Sequence, residues 1–247
     1  METCMTSRCE KFTIEGCRHG DLLRVAINGR RYLMRPTSMD LYTAGEIFAD
    51  GVYDQIFSLL TPHEEVKAIL DLGGNIGMAT EYLLRTYQNA VVVTVEPDLK
   101  NMELLRLNLK EELEERRVVD VHGAFWFEDA LIQFHPASNP IKVNEGYVTA
   151  GEEVSEGSVQ VQGSTINRLC SYFKDDPSAI DLIKVDIEGA EEYLFKGDLS
   201  WISKTRCLAV EFHGDSRASS DFDIVMAQYG FKIFDENPHT IIAVRQL

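Results

Sequence analysis

The segment Ile180-Asp181-Leu182-Ile183-Lys184-Val185-Asp186-Ile187-Glu188-Gly189-Ala190-Glu191 joins an apolar run to a lysine and three acids, then turns on a glycine. Ligands of an open α/β sheet sit beyond the carboxyl ends of its strands, so Asp186 and Glu188 are expected at a site and not in a core. A second such tip, Val210-Glu211-Phe212-His213, adds a carboxylate and an imidazole. These groups suit removal of a proton from a hydroxyl, a step in which a placed base contributes roughly 10²–10⁴-fold. His213 is a candidate base because an ordinary imidazole titrates near neutrality, and Asp186 is its rival, with Glu188 beside them. Asp186, Glu188 and Glu211 could instead hold Mg2+, since oxygen donors suit hard cations, although nothing in the spacing requires a metal. Strand alternation puts Lys184 on the face of Asp186, which predicts a packing contact between them. Glu191 and Glu192 read as acids at a helix start.

A second constellation is Asp71-Leu72-Gly73-Gly74-Asn75-Ile76-Gly77, an apolar strand running into a glycine turn and a helix start. Glycines there let backbone approach a ligand, and the helix start offers unpaired N–H groups. Asn75 stands where a nicotinamide or flavin fingerprint needs glycine. Asp71 would repel a pyrophosphate and suits a cationic ligand such as S-adenosylmethionine. The next apolar strand ends in Glu96-Pro97, placing a carboxylate where it can accept both hydroxyls of a ribose. Asp71, Gly73, Asn75, Ile76, Gly77, Glu96, Pro97 and Asp186 are the expected cofactor contacts.

Strand-like runs fall at 66–72, 90–95, 118–124, 180–187, 207–212, 231–234 and 240–244, and helix-like runs at 76–87, 99–114, 165–173, 190–195 and 222–229. Alternating strands and helices with continuous apolar strands predict a mostly parallel sheet covered on both faces. The last two strands lie close enough to pair antiparallel. The expected fold class is therefore α/β, Rossmann-like, with an antiparallel final strand. Residues 1–62 read as an N-terminal extension: a hairpin turning at Asn28-Gly29, then helical spacing from 39 to 60 broken near Gly51. Tyr53 in that helix is expected either to cover the ligand or to pack in the core. The core domain is expected over 63–247, with an insertion at about 135–163 that has at most short strands. Glu152, Glu153 and Glu156 make that insertion acidic, and it reads as a lid or a solvated excursion.

The chain has 247 residues, 45% of them hydrophobic, enough for one large domain with a real core. A net charge of −16 argues against nucleic acid and anionic membranes as partners. The basic group Arg24, Arg30, Arg31 and Arg35 lies among apolar residues and reads as a strand face. No signal-like or membrane-spanning run is visible, so a cytoplasmic monomer or homodimer is expected. Cys4, Cys9, Cys17, Cys170 and Cys207 lack any Cys-x-x-Cys pair; a zinc site from the first three with His19 is not expected, and free thiols are.

Taken together, Asp71-Leu-Gly-Gly-Asn-Ile-Gly77, Glu96-Pro97, Ser164-Thr-Ile-Asn-Arg-Leu169, Ile183-Lys-Val-Asp-Ile-Glu-Gly-Ala-Glu191, Phe195-Lys-Gly197 and Val210-Glu-Phe-His213 resemble the FkbM family of S-adenosylmethionine-dependent methyltransferases. The resemblance runs from about Glu46 to Phe234 and implies a class I methyltransferase sheet. It further implies O-methylation of a small-molecule hydroxyl, as on a natural product or sugar. Gly74 stands where alanine is usual, a change expected to be harmless. His122-Gly123-Ala124-Phe125 lacks the carboxylate that many methyltransferases use against adenine, so adenine contacts are expected from backbone near Ala124 and from Phe125. The alternatives are a cofactor-binding protein without turnover, or transfer to nitrogen or carbon. A nicotinamide oxidoreductase is disfavoured by Asn75 and Asp71.

Overall fold

The computed structural model describes residues 12–19, 21–139, 146–151, 155–174 and 178–246. Its chain begins with strands β1 (Phe12–His19), β2 (Leu22–Ile27) and β3 (Arg30–Met34), then helices α1 (Asp40–Gly45) and α2 (Asp54–Leu59), with a wide turn at Glu46–Asp50 between them. Strand β4 (Ala68–Leu72), helix α3 (Met78–Thr86), strand β5 (Val91–Glu96), helices α4 (Leu99–Asn108) and α5 (Lys110–Glu114) and strand β6 (Val118–His122) follow. Next come β7 (Ala124–Phe125), β8 (Ala130–His135), β9 (Tyr147–Thr149), β10 (Val159–Ser164) and α6 (Ile166–Cys170). The chain closes with β11 (Ile180–Val185), β12 (Thr205–Val210), α7 (Ser216–Ser219), α8 (Phe222–Gln228), β13 (Phe231–Phe234) and β14 (Ile241–Arg245).

The central sheet has seven strands in the order β13-β14-β12-β11-β4-β5-β6. Pairs from β12 to β6 are parallel, whereas β14 is antiparallel to both β12 and β13. Every residue of β4 and β11 is buried, which explains why both read as continuous apolar runs. Alternation sends Ile69, Val92 and Leu182 into one apolar layer and Leu70, Val93 and Ile183 into the other. The first layer also takes Tyr32, Phe48 and Ile56 from the N-terminal residues. Arg30 fastens the hairpin there by donating to the Glu112 carboxylate and the Asn108 carbonyl at 2.5–2.8 Å.

Three expectations are corrected. The single helix over 99–114 breaks after Asn108, whose buried side chain bonds Leu33 N–H, Leu33 C=O and Ile76 C=O. The helix expected over 190–195 is one tight turn, Ala190–Tyr193. The third strand stops at His122 because the chain leaves the central sheet at Gly123, and β7 pairs with β10 in a second sheet.

That second sheet, β7-β10-β8-β9, takes in the short strands of the expected insertion at about 135–163. Antiparallel pairing puts Phe134 opposite Val159 and Ile132 opposite Val161, and Ile132, Phe134 and Val161 pack with Trp126 in a small core of their own. Glu152 and Glu153 lie outside the described residues. So do Cys4 and Cys9, which leaves the Cys4, Cys9, Cys17 and His19 set incomplete among the described residues; Cys170 and Cys207 are buried and form no disulfide. No helix among the described residues is long and apolar enough to cross a membrane.

Candidate active site

The tips of β4, β5, β11 and β12 are drawn together by backbone bonds. Gly73 and Gly74 N–H donate to Val95 C=O at 3.0 and 2.9 Å, Asp186 N–H donates to Leu72 C=O at 3.1 Å, and Glu211 N–H donates to Val185 C=O at 2.9 Å. Gly73 is left-handed (φ +84°), and a Cβ on it would lie 1.8 Å from the Asp186 carbonyl oxygen. Glycine is thus required so that one strand tip can pass the next. Gly74 is less permissive than expected: a Cβ there would lie 2.2 Å from Thr94 Oγ1, so an alanine would have to displace Thr94.

Beyond these tips lies a cavity of ≈300 Å³. One part of its wall is built around Glu96, whose side chain is almost wholly enclosed. Asn75 N–H donates to Glu96 Oε2 at 2.8 Å, while Asp98 N–H and the Asn101 amide donate to Oε1 at 2.9 and 3.2 Å. Burial nevertheless pushes the Glu96 carboxyl up to about 7. Asn75, itself left-handed at φ +47°, carries a buried Oδ1 with no hydrogen-bond partner. Gly73, Pro97, Ala124 and Phe125 also line this cavity. An enclosed carboxylate with acceptor capacity left on Oε2, next to an orphaned amide oxygen, fits the hydroxyls and amino groups of S-adenosylmethionine.

Asp71, Ile76 and Gly77, expected as cofactor contacts, do not line the cavity. Asp71 is fully buried, 3.1 Å from Lys184 Nζ, and accepts the Thr80 hydroxyl at 2.5 Å. Its charge is met inside the protein. Ile76 is core, and Gly77 leaves room for Leu109. Lys184 is likewise buried; it donates to Gly73 C=O at 2.7 Å and stands 3.6 Å from Asp186. The Lys184–Asp186 contact is present, but the closer acid is Asp71.

The other part of the wall is acidic. Asp186, Glu188, Glu211 and His213 all reach the cavity, joined by Glu46 and His239. His213 Nδ1 lies 3.1 Å from Glu191 Oε1, while its Nε2 lies 3.6 Å from Glu188 and 3.7 Å from Glu211. The bond to Glu191 and the charges of Glu188 and Asp186 raise the imidazole to about 9 despite its burial. An imidazole raised this far favours its protonated form at neutral pH. Burial and the adjacent Asp186 charge push Glu211 up to about 8. Glu188 is left-handed at φ +53°, a strained conformation for a non-glycine residue and one that clusters at functional sites. Donor atoms of Asp186, Glu211 and His213 lie within 4.8 Å of one another.

Glu191 is the residue whose part the sequence most understated. It is fully buried and accepts Ile187 N–H at 3.1 Å and Gly189 N–H at 2.9 Å, clamping the turn that carries Glu188 while holding His213. Its place two residues after Gly189 was the available signal. Glu46, Asn101 and His239 come from distant elements and gave none. Phe134, Gly146 and Val148 of the second sheet complete part of the wall.

The chain is 29% identical over 170 residues to Methyltransferase 1 of Beauveria bassiana, covering 62% of this chain and 64% of that protein. It is 27% identical over 203 residues to 2-O-methyltransferase NoeI of Sinorhizobium fredii, covering 74% of this chain and 81% of that one. The crystal structure of Methyltransferase FkbM from Methylobacillus flagellatus superposes with a TM-score of 0.50 at 16% identity, covering 84% of this chain and 56% of that one. This places the seven-stranded sheet in the class I methyltransferase fold. The methyltransferase FkbM domain matches residues 71–233, from the Asp71 turn through both acidic strand tips, and the chain belongs to the FkbM methyltransferase family.

Proposed function

We propose that the chain transfers the methyl group of S-adenosylmethionine to a hydroxyl of a small molecule, such as a natural product or sugar. The observation that carries this reading is a single cavity in which the enclosed Glu96 carboxylate and the Asp186–Glu188–Glu211–His213 cluster share one wall. S-adenosylmethionine supplies a positively charged sulfonium bearing a transferable methyl group. Glu96 is the ribose acceptor, Asn75 a further polar contact, and Ala124 and Phe125 the adenine side. The acidic wall favours a cationic donor over a pyrophosphate-bearing cofactor. Holding an acceptor oxygen in line supplies roughly 7–11 kcal/mol of the barrier reduction, so positioning is the larger part of the task. Glu188 takes the hydroxyl proton, since His213 already carries one. Asp186 and His213 fix the acceptor beside it. The 2-O-methyltransferase named above supports oxygen as the methylated atom over nitrogen or carbon.

Calorimetry with S-adenosylhomocysteine, followed by its release against a panel of hydroxylated acceptors, tests this. Binding with turnover is expected. Absence of binding to the folded chain would overturn the reading, and binding without turnover on any acceptor would leave a cofactor-binding protein instead.

A further inference from the structure

Asp186 follows β11, and Glu211 and His213 follow β12; these strands are parallel neighbours, so their tips converge without any long excursion of chain. One donor atom from each of the three side chains falls within 4.8 Å of the others. That is a spacing a single ion can bridge, with two carboxylates and an imidazole as ligands.

Two independent features point to a cation there. The first is the way His213 is held. Its Nδ1 donates to Glu191 Oε1 at 3.1 Å, and Glu191 is itself fixed by two backbone N–H groups. This leaves Nε2 facing the carboxylates. A carboxylate behind the far nitrogen is the support that metal-ligating histidines characteristically have, because it sets the tautomer and the ring orientation. The second is Tyr53. It is 4% exposed, lines the same cavity, and its hydroxyl makes no hydrogen bond among the described residues, while Asp186, Glu211 and Lys184 are the charges nearest in effect. A buried phenol without a partner beside this cluster is a donor or acceptor waiting for something in the cavity, such as a water carried by an ion.

We propose that Asp186, Glu211 and His213 bind one divalent cation, Mn2+ or Mg2+, with Glu191 as the positioning residue behind His213. Mixed carboxylate and imidazole donors favour Mn2+ over Mg2+ in affinity. The ion offsets the mutual repulsion of Asp186 and Glu211 and gives an oxygen-bearing acceptor a fixed point next to the methyl donor. This rests on the reading of the cavity as a methyltransferase site, yet it is separable from it by experiment.

The test is titration of the chelator-treated full chain with Mn2+, followed by the loss of the free-ion electron paramagnetic resonance signal, without any methyl donor. One saturable site per chain is expected. Glu211→Gln and Asp186→Asn should each abolish saturable binding, and Glu191→Gln should weaken it roughly 10–100-fold. Glu192→Gln, outside the cavity, should leave it within about threefold. Circular dichroism on the same samples shows that each variant is folded, and calorimetry with S-adenosylhomocysteine reports the donor pocket separately. Absence of a saturable Mn2+ site in a wild-type chain that binds S-adenosylhomocysteine would overturn the cation site and leave the methyltransferase reading intact. So would unchanged Mn2+ affinity in Glu211→Gln and Asp186→Asn. Saturable Mn2+ binding without S-adenosylhomocysteine binding would spare the cation site and sink the donor pocket.

Discussion

Lys184 stands inside the central sheet with its ammonium 3.1 Å from the Asp71 carboxylate, each side chain no more than 2% exposed. The two strands are in register at this point, Lys184 opposite Asp71. Lys184 also donates to the Gly73 carbonyl, so one buried cation ties the glycine turn to the strand that carries Asp186. The surrounding carboxylates hold Lys184 charged well above its ordinary range, in spite of burial. The donor pocket and the acidic wall thus share one support.

Removing that support is expected to be costly. Lys184→Met leaves Asp71 buried without its counter-charge and should lose about 3–5 kcal/mol in urea unfolding. The double variant Asp71→Asn, Lys184→Met should recover much of this, because no lone charge remains. A double variant no more stable than Lys184→Met would show that the pair does not act as a unit.

Gly73 and Gly189 separate two reasons for glycine. A Cβ on Gly189 meets nothing within 4 Å, and its φ of +101° is the only objection to a side chain. Gly189→Ala should therefore cost about 1–3 kcal/mol and leave a folded protein. A Cβ on Gly73 would overlap the Asp186 carbonyl, which is backbone and cannot swing away. Gly73→Ala should lose both thermal stability and S-adenosylhomocysteine affinity. Equal melting temperatures for the two variants would contradict the close approach of the strand tips.

Much of this was legible in the sequence. Continuous apolar runs mark strands buried on both faces, so β4, β5, β11 and β12 and their order as parallel units could be read directly. The acids beyond their ends, Glu96, Asp186, Glu188 and Glu211, follow from that placement. What could not be read was direction. Asp71 sits at the end of an apolar run as Glu96 does, yet its side chain turns inward because Lys184 lies opposite on the neighbouring strand, a register that only folding sets. The second sheet was missed for a similar reason. Val159 and Val161 alternate with exposed glutamines, and they pair with Phe134 and Ile132 across a stretch rich in glycine and proline.

Glu96 predicts a pH dependence of definite sign. Its folded-state value of about 7 lies above the ordinary 4.5. Between those values the folded chain holds a proton that the unfolded chain has lost, so stability falls as pH rises through this window and is level above it. The whole effect is on the order of 3 kcal/mol for one such group. Urea unfolding of the ligand-free wild type, relative to Glu96→Gln, should show that decline between roughly pH 4.5 and 7. Donor affinity moves the opposite way. Ionised Glu96 is the better acceptor for ribose hydroxyls, so S-adenosylhomocysteine should bind wild type more tightly as pH rises through about 7, and Glu96→Gln should bind weakly at every pH. An affinity independent of pH, or unchanged in Glu96→Gln, would remove Glu96 from the ribose.

The division of labour between Glu188 and His213 can be read from kinetics. Glu188 lies 3.6 Å from His213 Nε2 and projects into the cavity from a left-handed residue that the Glu191 clamp stabilises. If Glu188 accepts the hydroxyl proton, Glu188→Gln keeps the shape and loses the base. Turnover should then fall about 10²–10⁴-fold with S-adenosylhomocysteine affinity unchanged. Glu191→Gln acts one step back, by loosening both the turn and the imidazole. It should lower turnover less and shift the pH profile of kcat/KM, whereas Glu191→Asp, which keeps the charge, should restore part of the loss. Should Glu188→Gln retain full turnover while His213→Gln abolishes it, the proton acceptor is His213, and the proton it holds at neutral pH must leave before each methyl transfer.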